Sequence, residues 1–114
     1  MFLLLATTVA FAVQDAPPRV SLISYDEAVR CAGLAQAASE LEGGESAAGK
    51  SLFDVALYWS LAAGQAASAS GKAPAVADAD QNRARIQAVS QLNSGDEEAR
   101  AALRRCRTRT PDLG

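Results

Sequence analysis

The chain has 114 residues, enough for one domain, and a net charge of −2, so overall charge draws it to neither nucleic acid nor an anionic membrane. It contains no histidine, which removes the commonest general base, pH switch and metal ligand. Hydrophobic residues make up 49%, but aromatics only 5% and alanine much of the rest, so the core is thin and gains from a covalent staple.

Residues 1–12 carry no charged side chain and are too few to cross a bilayer. Ala10-Phe11-Ala12 has the small-x-small pattern of a signal-peptidase site, followed by the charged, proline-bearing Gln14-Asp15-Ala16-Pro17-Pro18. A secretory signal cleaved after Ala12 is expected. Such signals usually open with Lys or Arg, and the lack of one fits a start upstream of Met1. The competing reading is a buried apolar arm on a cytosolic domain. Residues 13–23 read as a linker: Pro17-Pro18 forbids helix, and Val20 to Ile23 is a short extended arm.

Helical patterning fills residues 24–110. Ser24, with Glu27 three residues on, is a capping box opening the first helix. Ala28, Cys31, Ala35 and Ala38 recur at helical spacing beside Val29, Leu34 and Leu41, and Gly43-Gly44 stops the run. Ser51 is the expected cap of the second helix, with Asp54 in its first turn. Leu52, Val55, Ala56, Trp59, Ala62, Ala63 and Ala66 form one face, which Phe53, Leu57 and Leu61 widen. A helix apolar nearly all round is expected to be the central, most buried one. The aromatic stripe of Phe53, Tyr58 and Trp59 reads as core rather than as the lining of a ligand pocket.

Gly71 and Pro74 mark a turn and the start of a third helix over about 75–93. Val76, Ala79, Ile86, Val89, Leu92 and the Arg83 stem are expected to face inward, with Asp78, Asp80, Arg85 and Gln87 facing water. Ser94 with Glu97 reads as a second capping box, opening a fourth helix whose inward stripe is Ala99, Ala102, Leu103 and Cys106. Its charges run from Asp96, Glu97 and Glu98 to Arg100, Arg104, Arg105, Arg107 and Arg109, which complements the helix dipole, with Asp96 and Arg100 as an ion pair. The functional alternative is a basic tail that docks an acidic partner, phospholipid or nucleic acid. Pro111 ends the order.

Two distant cysteines without histidine fit neither a zinc site nor a Cys-His nucleophile. In an oxidising compartment Cys31 and Cys106 would pair, closing a loop of about 75 residues and contributing around 4 kcal/mol in the chain-entropy model. In an up-down-up-down bundle the first and fourth helices are antiparallel neighbours, which puts both thiols at one level. The alternative is two separate buried thiols.

Gly44-Glu45-Ser46-Ala47-Ala48-Gly49-Lys50-Ser51 satisfies G-x-x-x-x-G-K-[ST] and so resembles P-loop nucleotide-binding proteins. The resemblance implies backbone N–H groups from Gly44 to Gly49 around phosphates, Lys50 reaching the terminal ones and Ser51 holding Mg²⁺. The context opposes it. The motif should follow a buried strand, yet Ala35 to Glu42 is alanine-rich and helical, and no apolar run ending in Asp comes later. A weaker form survives, in which Lys50 and a helix N-terminus hold a sulfate or phosphate without catalysis.

The expected fold is all-α, a small antiparallel three- to four-helix bundle stapled by one disulfide. In composition and layout the mature chain resembles small alanine-rich, two-cysteine exported helical proteins of Gram-negative bacteria, a group without an assigned activity, so the resemblance transfers no residue role. The expected function is a non-enzymatic interaction or binding module, periplasmic or secreted. It would need no cofactor, bind no nucleic acid and keep no membrane span after cleavage, with an envelope protein or small ligand as partner. Two alternatives stand beside it: phosphate or nucleotide binding through Gly44, Gly49, Lys50 and Ser51, and a chaperone-like stress protein triggered when its carboxylates protonate.

Overall fold

In the computed structural model, residues 23–112 are described, and all their regular structure is helical. The signal read at 1–12 and all of the linker but Ile23 lie outside them. Helix α1 spans Tyr25–Glu42, α2 Ala47–Ala69, α3 Pro74–Asn93 and α4 Glu97–Arg109. The four pack together as a small bundle stapled between Cys31 and Cys106, whose Cα atoms are 5.5 Å apart.

Local chemistry sets most of the ends. The Ser24 hydroxyl accepts from the Glu27 N–H at 3.1 Å, relieving one of the unpaired donors of the first turn. The Glu27 carboxylate pairs with Arg109 across the bundle. Gly43 ends α1 with φ +88°, a conformation that costs glycine nothing. Pro74 opens α3 at the position where a missing N–H does no harm.

Two caps fall elsewhere than the sequence predicts. Helix α2 is capped by Ser46, not Ser51: the Ser46 Oγ accepts from the Gly49 N–H at 2.9 Å, and helix-favouring Ala47-Ala48 carry the first turn. Gly49 lies inside the helix, and only glycine fits there because the Gly43 carbonyl oxygen occupies the place a Cβ would take. Helix α4 is capped by Asp96, whose carboxylate accepts from the Ala99 N–H at 3.0 Å, while Ser94 is the C-cap of α3. The chain reverses at Gly95, with φ +79°, so the N-cap falls one residue beyond it. With Asp96 occupied as a cap, Arg100 pairs with Glu97 instead.

The central helix is α1, not α2. Ala28, Cys31, Ala32, Gly33, Leu34, Ala35, Ala37, Ala38 and Ser39 are all buried, so α1 is covered round most of its circumference. Helix α2 packs beside it as an antiparallel hairpin, and the buried Ser39 hydroxyl donates to the Gly49 carbonyl at 2.7 Å to lock the turn. Helix α3 crosses α1 at a glycine: a Cβ on Gly33 would lie 2.6 Å from the Ala84 carbonyl carbon. That approach admits only small residues, which is why Ala77 and Ala88 face inward while Val76 and Ile86 face out. The predicted inward face of α3 therefore fails at Val76 and Ile86, while Val89 and Leu92 pack against the core as predicted.

Helix α4 lies antiparallel to α1, joined by the disulfide and by the Glu27–Arg109 pair. Its predicted stripe is inward, with Ala99, Ala102 and Cys106 buried and Leu103 packed at the margin. Trp59 fills the space between α2, α1 and α4 with 0% exposure, and with Leu34 it is one of two large side chains fully buried among the described residues. Its indole N–H donates to Thr110 Oγ1 at 2.9 Å and more weakly to the Cys106 carbonyl at 3.3 Å. The Tyr58 ring meets it edge-on at 5.2 Å.

Candidate functional site

Helix α2 shows two apolar faces. One is the core face of Leu52, Val55, Ala56, Trp59, Ala63 and Ala67. The other carries Phe53, Leu57 and Leu61, which are 50%, 46% and 69% exposed. The four-residue spacing aligns them as one ridge along the helix. From Val55 to Gly71 there is no charged side chain. A surface helix normally presents charge on its solvent face, and a helix apolar on both sides is usually covered on both. The other large exposed apolar residues among those described, Leu41, Val76 and Ile86, lie on α1 and α3. The sequence reading placed Phe53, Leu57 and Leu61 in the core, and the signal that could have separated them is their own four-residue ridge, offset from the Leu52–Val55–Trp59–Ala63 face.

A groove of about 370 Å³ runs between α1 and α3, floored by Val29, Leu34 and Ala88 and rimmed by Arg30, Arg83 and Gln87. At one end the Tyr25 hydroxyl donates to Asp80 Oδ2 at 2.6 Å, and Arg83 meets the other carboxylate oxygen at 3.1 Å. The Lys72 ammonium stands 4.8 Å above the Tyr25 ring. Burial, then the Asp80 hydrogen bond, pushes the Tyr25 hydroxyl up to about 12. That hydrogen bond in turn holds the Asp80 carboxyl below its usual range. The polar groups at this end therefore satisfy one another: they clamp α3 to α1. Asp80, predicted to face water, could not have been matched with Tyr25, 55 residues away, by any local pattern.

The motif residues Gly44, Gly49, Lys50 and Ser51 do not form a loop between strand and helix. Gly44 lies in the turn, while Gly49, Lys50 and Ser51 are in the first turns of α2. The Ser46 N–H is bonded to Gly43 O, the Gly49 N–H to Ser46 Oγ and the Lys50 N–H to Ser46 O. Lys50 shares a depression of about 530 Å³ with Glu45, Asp54, Ser39 and Phe53. Two carboxylates beside one ammonium leave little positive field for an anion.

On α4 the arginines lie toward the C-terminal end, where Ala101, Arg104, Arg105 and Thr108 border a shallow depression. Arg100 and Arg109 are tied to Glu97 and Glu27. Among the described residues no group of three or more His, Cys, Asp or Glu side chains could hold a metal ion. No helix among them is long and apolar enough to cross a membrane. Searches against protein-family models, characterised proteins and solved structures return no match, so the reading of this chain rests on its own residues.

Proposed function

We propose that the chain is exported and serves as a non-enzymatic interaction module, meeting its partner through the Phe53–Leu57–Leu61 ridge of α2. The exposure of this ridge on a helix without charge from Val55 to Gly71 carries the reading. Rigidity supports it: the ridge stands on a helix whose opposite face holds Trp59 and whose turn is locked by Ser39, so little order must be lost on binding. Export accounts for the Cys31–Cys106 bridge, since disulfides persist in oxidising compartments.

The test is a photo-crosslinking side chain at position 57 in the native host, with position 72 as control. A defined adduct from 57 and none from 72 supports the module. Equal or absent labelling at both positions refutes it. Intact mass on the recovered protein, with alkylation before and after reduction, tests export. A chain beginning at Val13 that resists alkylation until reduced is the expected result. A chain that keeps residues 1–12 and alkylates at once refutes it.

A further inference from the structure

We infer that the Cys31–Cys106 bridge is a redox latch on α4: a dithiol reductant opens it, α4 leaves the bundle, and Trp59 is uncovered while α1, α2 and α3 stay folded.

Little besides the bridge holds α4 in place. Of its 13 residues only Ala99, Ala102 and Cys106 are buried, with Leu103 packed at the margin. A helix this short is marginal by itself in water, so α4 depends on its docking to persist. The ion pairs that join it to α1, Arg109 with Glu27 and Arg30 with Glu98, are partly or largely exposed, and such pairs hold weakly. The Trp59 indole donates to Cys106 and Thr110, and Arg109 stands 5.7 Å from its ring centre, so these groups cover Trp59 only while α4 is docked. The other three helices are joined by contacts that do not involve α4. Ser39 on Gly49 ties α1 to α2, and the Gly33 crossing, the Tyr25–Asp80 hydrogen bond and the Glu40–Arg85 pair tie α1 to α3.

The bridge can be reached from outside. A depression of about 300 Å³ between α1 and α4 is lined by both cysteines and bordered by Asp26, Glu27, Arg30 and Arg105. Two carboxylates and two guanidiniums balance there, so an incoming thiolate is neither drawn in nor repelled. The thiolate of the reductant attacks one sulfur, forming a mixed disulfide and expelling the other cysteine as a thiolate, which takes a proton from water. The second thiol of the reductant then displaces the remaining cysteine. The dithiol ends as a disulfide, and two electrons and two protons have passed to the chain.

The experiment treats the full oxidised chain with dithiothreitol in native buffer. Trp59 is the sole tryptophan, so its emission reports on α4. Reduction should shift that emission to the red and bring fast amide exchange across 97–109, while α1, α2 and α3 keep their protection. Reoxidation should reverse both changes. A Cys106→Ser chain, which never bridges, should match the reduced form. Full reduction that leaves α4 protected and the emission unmoved overturns the latch. So does loss of protection in all four helices, which makes the bridge a staple for the whole fold. Reduction that proceeds in urea but not in native buffer overturns the route through the depression.

Discussion

Gly33 gives the sharpest test of the packing, because two effects of opposite sign meet there. Replacing glycine by alanine inside a helix normally stabilises it by up to about 1 kcal/mol. At Gly33 the added methyl would sit 2.6 Å from the Ala84 carbonyl carbon, 2.7 Å from its Cβ and 2.8 Å from the Arg85 nitrogen. Ordinary carbon contacts lie near 3.5–4.0 Å, so α1 and α3 must part by about 1 Å. Such a gap forfeits a quarter to a half of each dispersion contact at the crossing, and with some tens of atom pairs worth about 0.1–0.2 kcal/mol each, the loss is about 2–3 kcal/mol. The net effect of Gly33→Ala is destabilisation by about 1–2 kcal/mol, or a melting temperature lower by roughly 5–10 °C. Gly64→Ala is the control: it is also inside a helix, but nothing lies within 4 Å of its Cβ position, so only the propensity gain applies. The assay is urea unfolding of both variants. Adding Ala84→Gly to Gly33→Ala should not restore the loss, since two of the three clashing atoms are backbone and a glycine inside α3 itself costs about 1 kcal/mol. A Gly33→Ala protein as stable as its parent would refute the close crossing of α1 and α3.

Replacing Cys31 and Cys106 by alanine should cost up to about 4 kcal/mol in urea unfolding, for a bridge spanning 75 residues. Trp59→Ala should be the costliest single truncation, at about 3–5 kcal/mol by equilibrium unfolding. Trp59→Phe should lose only about 1–2 kcal/mol, because the Thr110 hydroxyl still donates to the Cys106 carbonyl at 2.7 Å. The Tyr25–Asp80 clamp predicts a pH window. Asp80 is held below its usual value, so its share of stability is present above the ordinary carboxyl range and lost as pH falls through the lower folded value. Tyr25 is held up near 12, so its share is present below the usual value of 10.0 and lost as pH rises through the higher one. The stability difference between parent and Tyr25→Phe should be flat across neutral pH and shrink at both ends; a slope near pH 7 would refute the pairing.

Local signals in this chain carry far, and spatial ones do not. The Ser24 cap, the Gly43 stop, the Pro74 start and the Ala99–Cys106 stripe are all short-range chemistry, and each is where its residues predict. The disulfide was legible because two cysteines leave one pairing. Ser51 misleads as a cap because glycine suggests a loop, whereas Gly49 is in the helix to let the Gly43 carbonyl pass. The order of burial among the helices was not legible either. Hydrophobicity ranks α2 first, but closeness of approach puts α1 in the middle, since alanines and Gly33 let two neighbours come near. The same inversion hid the candidate site, because the side chains that looked most like core are the ones left facing out.

The bridge from Cys31 to Cys106 also closes a covalent ring around all three interhelical turns. Exposed turns are where proteases cut first. A single cut near residue 44, 71 or 95 would open the ring without releasing a fragment, and the halves would stay side by side until the sulfurs were reduced. The nicked molecule would keep its mass save for one added water, and the ridge of α2 would keep its footing. Where proteases are plentiful and reductant scarce, such a chain outlasts a broken backbone.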